Sequence, residues 1–306
     1  SPHQHNFTSY GATSLAIFSL EAFAGMWINA FIVCVLCIGW VKKKILNSNE
    51  KILLLLGCSR FSSSCLSWVY HFLSTIYPKY LYVQPTHQLL MCFRTFFNFS
   101  HLWISACLCF FYCIKIANFR NSFFIYLKAK IDRIVPWLLL GSGIFSLVIV
   151  ILVYDVADTG QCNNSTGPGN SWKLNIKTDE RVFSLYFVTG LGFVTSFTVV
   201  ISSALLLLFS LWRHKCTMQT NSMNSLSMEA HMRAMKSILS FLIMYSINFV
   251  CLILTIIYAG KNEHTLILLI FICLHAFPGA HSLILIFSNP KLKKALLKIL
   301  LCVKCE

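Results

Sequence analysis

The stretch Thr86–Phe119, THQLLMCFRTFFNFSHLWISACLCFFYCIKIANF, decides how the rest of the chain is read. Pro85 and Thr86 make a helix start, and at about 1.5 Å per residue the segment is long enough to cross a bilayer with tilt. Arg94, Phe97, Asn98 and His101 stand at i, i+3, i+4 and i+7 and so share one helix face. That face cannot look at lipid. An arginine inside a span costs several kcal/mol unless it meets water, a partner or a ligand. The helix is therefore expected to be central, flanked by others, and to line a polar cavity.

Composition sets the class. The chain is 57% hydrophobic and 11% charged with a mean hydropathy of +0.70, a balance that would leave a soluble domain exposing far too much apolar surface. The expected fold is an all-α membrane protein. Apolar runs fall at about 13–41, 52–77, 86–117, 135–154, 182–212, 229–259 and 265–288, which makes a seven-transmembrane helix bundle. Residues 1–12 precede the first span, and the loop 155–181, rich in Asn, Gly, Ser and Thr, is the longest interruption. After Asn289 and Pro290 the pattern changes. Leu292, Ala295, Leu296, Ile299 and Leu300 take one helix face, while Lys291, Lys293, Lys294 and Lys298 take the other. Residues 289–306 therefore read as an interfacial amphipathic helix and cytoplasmic tail. Cys302 and Cys305 would sit at the membrane surface, either as S-acylation sites or as plain reduced thiols.

The formal net charge of +15 does not point to nucleic acid, because the basic residues sit in short loops between apolar runs. Lys42, Lys43, Lys44, Lys51, Lys115, Arg120, Lys128, Lys130, Arg133, Arg213, Lys215, Arg233, Lys236 and the C-terminal lysines fall on one side; only Lys79, Lys173, Lys177, Arg181 and Lys261 fall on the other. The positive-inside rule then puts the N-terminus outside and the C-terminus in the cytoplasm. The glycosylation acceptors Asn6, Asn163 and Asn164 all lie on the expected outside. Asn98 also matches the acceptor pattern but lies within a span. Most of the 14 cysteines sit inside spans and read as small apolar residues. Cys162 is the one in an outer loop. Cys92 is its candidate disulfide partner; about two turns of extra depth argue for the alternative, a free Cys162.

Other classes leave signatures that are missing. A transporter would show paired repeats or coupling acids at mid-membrane, and Glu21 is the one acid clearly within a span. An oligomeric channel needs little signature, so a transporter or channel with a polar central cavity is the alternative reading. An enzyme would need a nucleophile, an acid and base pair or a metal set. The sequence holds no such catalytic set, metal-ligand motif or cofactor fingerprint, and none is expected.

The third span and its exit carry Leu102, Trp103, Ala106, Cys107, Leu108, Phe111, Tyr112, Lys115, Ile116, Ala117, Asn118 and Phe119. Around them, in order, come Glu21, Gly25, Asn29, Phe31 and Ile32 in the first span and Ser59 and Arg60 in the second. Ser210, Leu211, His214 and Met218 close the fifth span, and His231, Ala234, Lys236, Ser237, Ser240, Phe241 and Leu242 stand in the sixth. Pro278, His281, Ser282, Asn289, Lys291 and Leu292 belong to the seventh and its exit. Over nearly its whole length the chain resembles the bitter taste receptor family, taste receptor type 2, of seven-transmembrane G protein-coupled receptors. The resemblance implies a receptor at the plasma membrane of chemosensory cells, for small bitter organic compounds. It also implies signalling through a heterotrimeric G protein of the gustducin/Gi type.

The cavity residues expected to touch ligand are Arg94, Phe97, Asn98, Asn248, Phe271, His275 and His71, with simple core packing as the alternative reading of Phe97. Three of them depart from what is usual in the family. An aromatic residue is frequent where Arg94 stands, a Tyr where Asn248 aligns, and a Glu or Gln where Phe271 aligns. Arg94 favours anionic or hydrogen-bond-accepting ligands and disfavours amines, which would leave two cations unpaired; pairing with an outer-loop acid, Asp179 or Glu180, is the competing reading. His275 shares a face with Phe271, Leu274 and Pro278, either as a ligand contact or as a hydrogen-bonded packing residue. Ser196 stands where the family often has Pro, so helix-kink arguments do not transfer. On the inner half, Asn29 and Arg60 read as a polar clasp between the first two spans. Tyr112, Lys115, Arg213, His214, His231 and Lys236 are expected at an inner face for the G protein; the alternative is that the charges merely set topology and bind anionic membrane lipid.

Overall fold

The computed structural model describes residues 9–81, 86–117, 121–158, 171–220, 225–258 and 264–304, with side chains outside the description at 9–10, 79, 155–158, 171–186, 214–220, 225–238, 256, 264, 267 and 302–304. Among the described residues every regular element is a helix. They are α1 (Ser9–Lys43), α2 (Ser48–Ile76), the single turn α3 (Pro78–Leu81), α4 (Thr86–Ile116), α5 (Ser122–Asp158), α6 (Ser171–Thr220), α7 (Ser225–Tyr258), α8 (His264–Ser288) and α9 (Pro290–Lys304). Six of these are long and apolar enough to cross a membrane, and α7 adds the shorter apolar stretch Leu239–Thr255. The chain is a multi-pass helical membrane protein.

Local chemistry sets several helix ends. Lys44 takes a left-handed φ of 55° and donates its N–H to the Trp40 carbonyl, which closes α1. Glu50 Oε2 accepts from the Asn47 N–H at 3.2 Å at the start of α2. Asn289 Oδ1 accepts from the Lys291 and Leu292 amides at 3.0 and 3.4 Å, so it caps α9.

Two helices outrun their apolar runs. α5 begins at Ser122 and carries Lys128, Lys130, Arg133 and Pro136 within it, and α6 begins at Ser171 within the stretch read as polar loop. Hydropathy marks the edge of the hydrocarbon. A helix satisfies its own backbone, so it continues past that edge wherever helix formers allow. Pro136 costs α5 the bond to the carbonyl four residues earlier without ending it.

Packing closes a ring in which α1 meets α2 and α8, α8 meets α7, α7 meets α6, and α4 meets α2, α5 and α6. α4 is the central strut: 67% of its apolar window is buried inside the protein, against 22% for α1 and for α5. Its two faces feed separate cores. Phe99, Leu102, Ala106, Cys109 and Cys113 join Val200, Leu207, Tyr245 and Phe277. Ile104, Leu108, Phe111 and Ile114 join Ile32, Leu53, Leu56, Ile131, Leu285 and, from α9, Leu292. The outer surface carries exposed Leu20, Trp27, Trp137, Ile151, Leu205 and Phe287, the apolar coat a lipid-facing bundle needs. α9 is tied back to the bundle by Lys291 Nζ, which meets Glu50 Oε1 at 2.6 Å.

Candidate functional site

A cavity of about 240 Å³ opens at the end of the bundle that holds the N-terminal part of α4 and the C-terminal part of α2. α1 supplies Phe18 and Ala22, and α2 supplies Ser63, Ser64, Ser67, Trp68 and His71. α4 supplies Arg94, Asn98, His101 and Leu102; α6 supplies Phe193. α7 lines it with Asn248, Leu252 and Thr255, and α8 with Phe271, Leu274, His275, Phe277 and Pro278.

Six of the seven expected ligand residues therefore border one space. Phe97 does not. The helical period turns it about 60° from Arg94, on the opposite side from Asn98; its ring packs on Phe96, and its carbonyl accepts from Ser59 Oγ of α2 at 3.2 Å. Apart from His71, the α1 and α2 lining was missed from sequence, although Ser63, Ser67 and His71 stand every fourth residue of α2. That polar stripe in an apolar helix was readable.

Arg94 places its guanidinium over the Tyr70 ring, 4.6 Å from the centroid. This is a cation–π contact, which offsets part of the charge without neutralising it. Among the described residues no carboxylate lies within salt-bridge distance of Arg94. The side chains of Asp179 and Glu180 lie outside the described residues, as do Cys162 and the acceptors Asn6, Asn163 and Asn164.

His275 donates Nδ1–H to the Phe271 carbonyl at 2.8 Å, because that carbonyl can only accept. The neutral ring then accepts at Nε2, and His71 Nε2–H donates to it across 3.2 Å. Phe18 stacks on His71 with centroids 4.6 Å apart and an 11° interplanar angle. Trp68 Nε1–H donates to Ser19 Oγ at 3.1 Å, which holds α1 against α2 at the rim.

A polar chain leads from the cavity into the core. His101 Nε2–H donates to Asn98 Oδ1 at 3.1 Å, and the His101 carbonyl accepts from Ser105 Oγ at 2.7 Å. Ser105 Oγ accepts from Arg60 Nη2 at 3.0 Å. Arg60, fully buried, also bonds His281 Nδ1, and its Nη1 donates to Ser282 Oγ at 2.8 Å. Ser282 donates onward to Asn29 Oδ1 at 2.7 Å. The clasp expected between Asn29 and Arg60 is thus not a direct pair. Ser282 of α8 stands between them, because Asn29 turns its amide nitrogen to the Gly25 carbonyl of its own helix at 2.8 Å.

At the other end, Lys115 meets Asp132 of α5 at 2.9 Å, so the acid opposite the end of α4 comes from a neighbouring helix. Tyr112 packs between both cores, and Arg213 lies exposed near the end of α6. The side chains of His214, His231 and Lys236 fall outside the described residues.

Comparison with known proteins agrees with this architecture along its length. Residues 8–304 match the family model described as Taste receptor protein (TAS2R). Taste receptor type 2 member 9 of Papio hamadryas is 35% identical over 295 residues, covering 93% of this chain and 92% of the relative. The human member 9 is 34% identical over 288 residues, with 93% and 92% covered. Human taste receptor type 2 member 39 is 33% identical over 285 residues, covering 92% of this chain and 84% of that protein. These relatives are receptors rather than enzymes, and the family match starts before α1 and runs to the last residue of α9: the chain belongs to the taste receptor type 2 family, the bitter taste receptors.

Proposed function

We propose that this chain is a G protein-coupled receptor of the plasma membrane. It detects small bitter organic compounds in the α1–α2–α4–α6–α7–α8 cavity and activates a gustducin/Gi-type heterotrimeric G protein. The N-terminus faces outward. The observation that carries this reading is Arg94 in the cavity wall, with a ring beneath it and no described carboxylate opposite it. A buried cation left in that state is a ready anchor for an anionic or acceptor-rich compound. The seven spans expected at 13–41, 52–77, 86–117, 135–154, 182–212, 229–259 and 265–288 then alternate across the bilayer. Lys42, Lys43, Lys115 and Arg213 share the end away from the cavity, where the G protein and anionic lipid would dock.

The test is calcium or G protein activation in cells expressing the chain with a gustducin-like Gα, against a panel of acidic, neutral and amine bitter compounds. Responses to acidic or acceptor-rich members, lost in Arg94→Ala at equal surface expression, are expected. No response to any member from a surface-exposed receptor, or amine responses indifferent to the substitution, would overturn the receptor reading or the anchor respectively.

A further inference from the structure

His71 and His275 lie 204 positions apart, on α2 and α8, and face each other Nε2 to Nε2 at 3.2 Å inside the cavity. Two Zn–N bonds of about 2.0–2.1 Å at a tetrahedral angle hold their nitrogens about 3.3 Å apart. The spacing now spanned by one proton is also the bite of a tetrahedral metal ion. Both rings are held in that aim: His275 is fixed through Nδ1 to the Phe271 carbonyl, and His71 is stacked on Phe18. A backbone carbonyl on the far nitrogen is the usual outer partner of a metal-bound histidine.

We propose that His71 and His275 form a two-histidine site for a divalent cation of the zinc class, whose open positions are filled by a donor atom of the bound compound or by water. This rests on the cavity being the ligand site. Imidazole pairs favour zinc and copper over magnesium or calcium. On binding, the ion takes the lone pairs of both Nε2 atoms, and the proton between the rings moves to His71 Nδ1. Neither ring gains charge, and nothing is oxidised or reduced. Among the described residues no third His, Cys, Asp or Glu joins the pair, so the ion stays open to an incoming ligand. Arg94 borders the same cavity, and a dication beside it needs an anion. The compounds that fit best are anionic chelators, whose charge answers both the metal and the guanidinium.

The test uses the full chain purified into lipid nanodiscs, titrated with Zn²⁺ alone and with Mg²⁺ as control. Wild type, His71→Gln and His275→Gln are compared. One zinc per receptor is expected, not displaced by magnesium, with affinity at least about tenfold weaker in each variant. Co²⁺ supplies a readout that needs no variant: intense visible absorption of a four-coordinate ion on the wild-type receptor. Equal zinc affinity in all three proteins, or only the weak spectrum of six-coordinate cobalt, would sink the proposal. Neither readout needs an agonist. Zinc binding without any bitter response overturns the receptor reading alone, and bitter responses without zinc binding overturn the metal site alone.

Discussion

Arg60 and Ser282, 222 positions apart, meet at 2.8 Å in the buried centre of the bundle, and the same serine hydroxyl donates a hydrogen bond to Asn29. One hydroxyl therefore joins α1, α2 and α8. Ser282→Ala leaves a guanidinium N–H and a carboxamide oxygen without a partner, each a buried group worth about 1–3 kcal/mol when orphaned. A lower melting temperature in detergent and reduced surface expression are expected. Ser282→Thr, which keeps the hydroxyl, should lose less; equal losses would show that volume rather than hydrogen bonding sets the cost.

Arg60 serves three partners at once: Ser105, His281 and Ser282. A lysine carries the charge on a single nitrogen and cannot span that fork. Arg60→Lys should therefore destabilise by about 3–5 kcal/mol, close to the cost of breaking a buried polar pair. Thermal unfolding of the solubilised receptor measures it. A stability near wild type would mean that the charge alone suffices.

In the cavity, Arg94→Ala should raise the half-maximal concentration of an acidic agonist at least about tenfold, which is about 1.4 kcal/mol. Arg94→Lys should fall between, because an ammonium keeps the charge but stacks less well on Tyr70. Dose–response curves at matched surface expression decide this. Lysine performing like alanine would point to the planar fork, not the charge.

Gly192 marks where α6 comes against α4. A Cβ there would lie 2.7 Å from Phe99 Cε1 and 3.2 Å from Ile149 Cδ1, and Phe99 is only 1% exposed. Gly192→Ala should cost about 1–3 kcal/mol through overpacking. Adding Phe99→Leu should recover part of it, and a double variant no better than the single would place the strain elsewhere.

The Lys291–Glu50 pair ties α9 to α2 at 2.6 Å while both side chains remain partly open to solvent. Either charge reversal alone should weaken the docking of α9 by about 1 kcal/mol, read as faster proteolysis after α8 and a changed G protein response. The exchanged pair, Glu50→Lys with Lys291→Glu, should restore both. Continued failure of the exchange would assign the effect to Gly39, whose Cα lies under the Lys291 side chain.

Much of the cavity was legible because helical period is a property of sequence. Arg94, Asn98 and His101 fall on one line of α4, and Phe271 and His275 on one line of α8, before any fold is known. Phe97 shows the limit. A stripe defined by i, i+3, i+4 and i+7 spans a wide arc, and only the neighbours decide where the cavity ends and packing begins. The basic stretch before Pro136 shows another. Read as a linker, it is the first turns of α5, since charge tells where lipid stops and not where a helix stops.

By itself the sequence determined the membrane class, the central place of α4 and the family, since apolar length, an in-span arginine and ordered short motifs are local properties of the chain. Tertiary structure alone decided that Ser282 stands between Asn29 and Arg60, that Asp132 meets Lys115, and that His71 faces His275. Each of these joins side chains from different helices. Their distances depend on how the helices rotate and cross when they pack, which no periodicity within a single helix records.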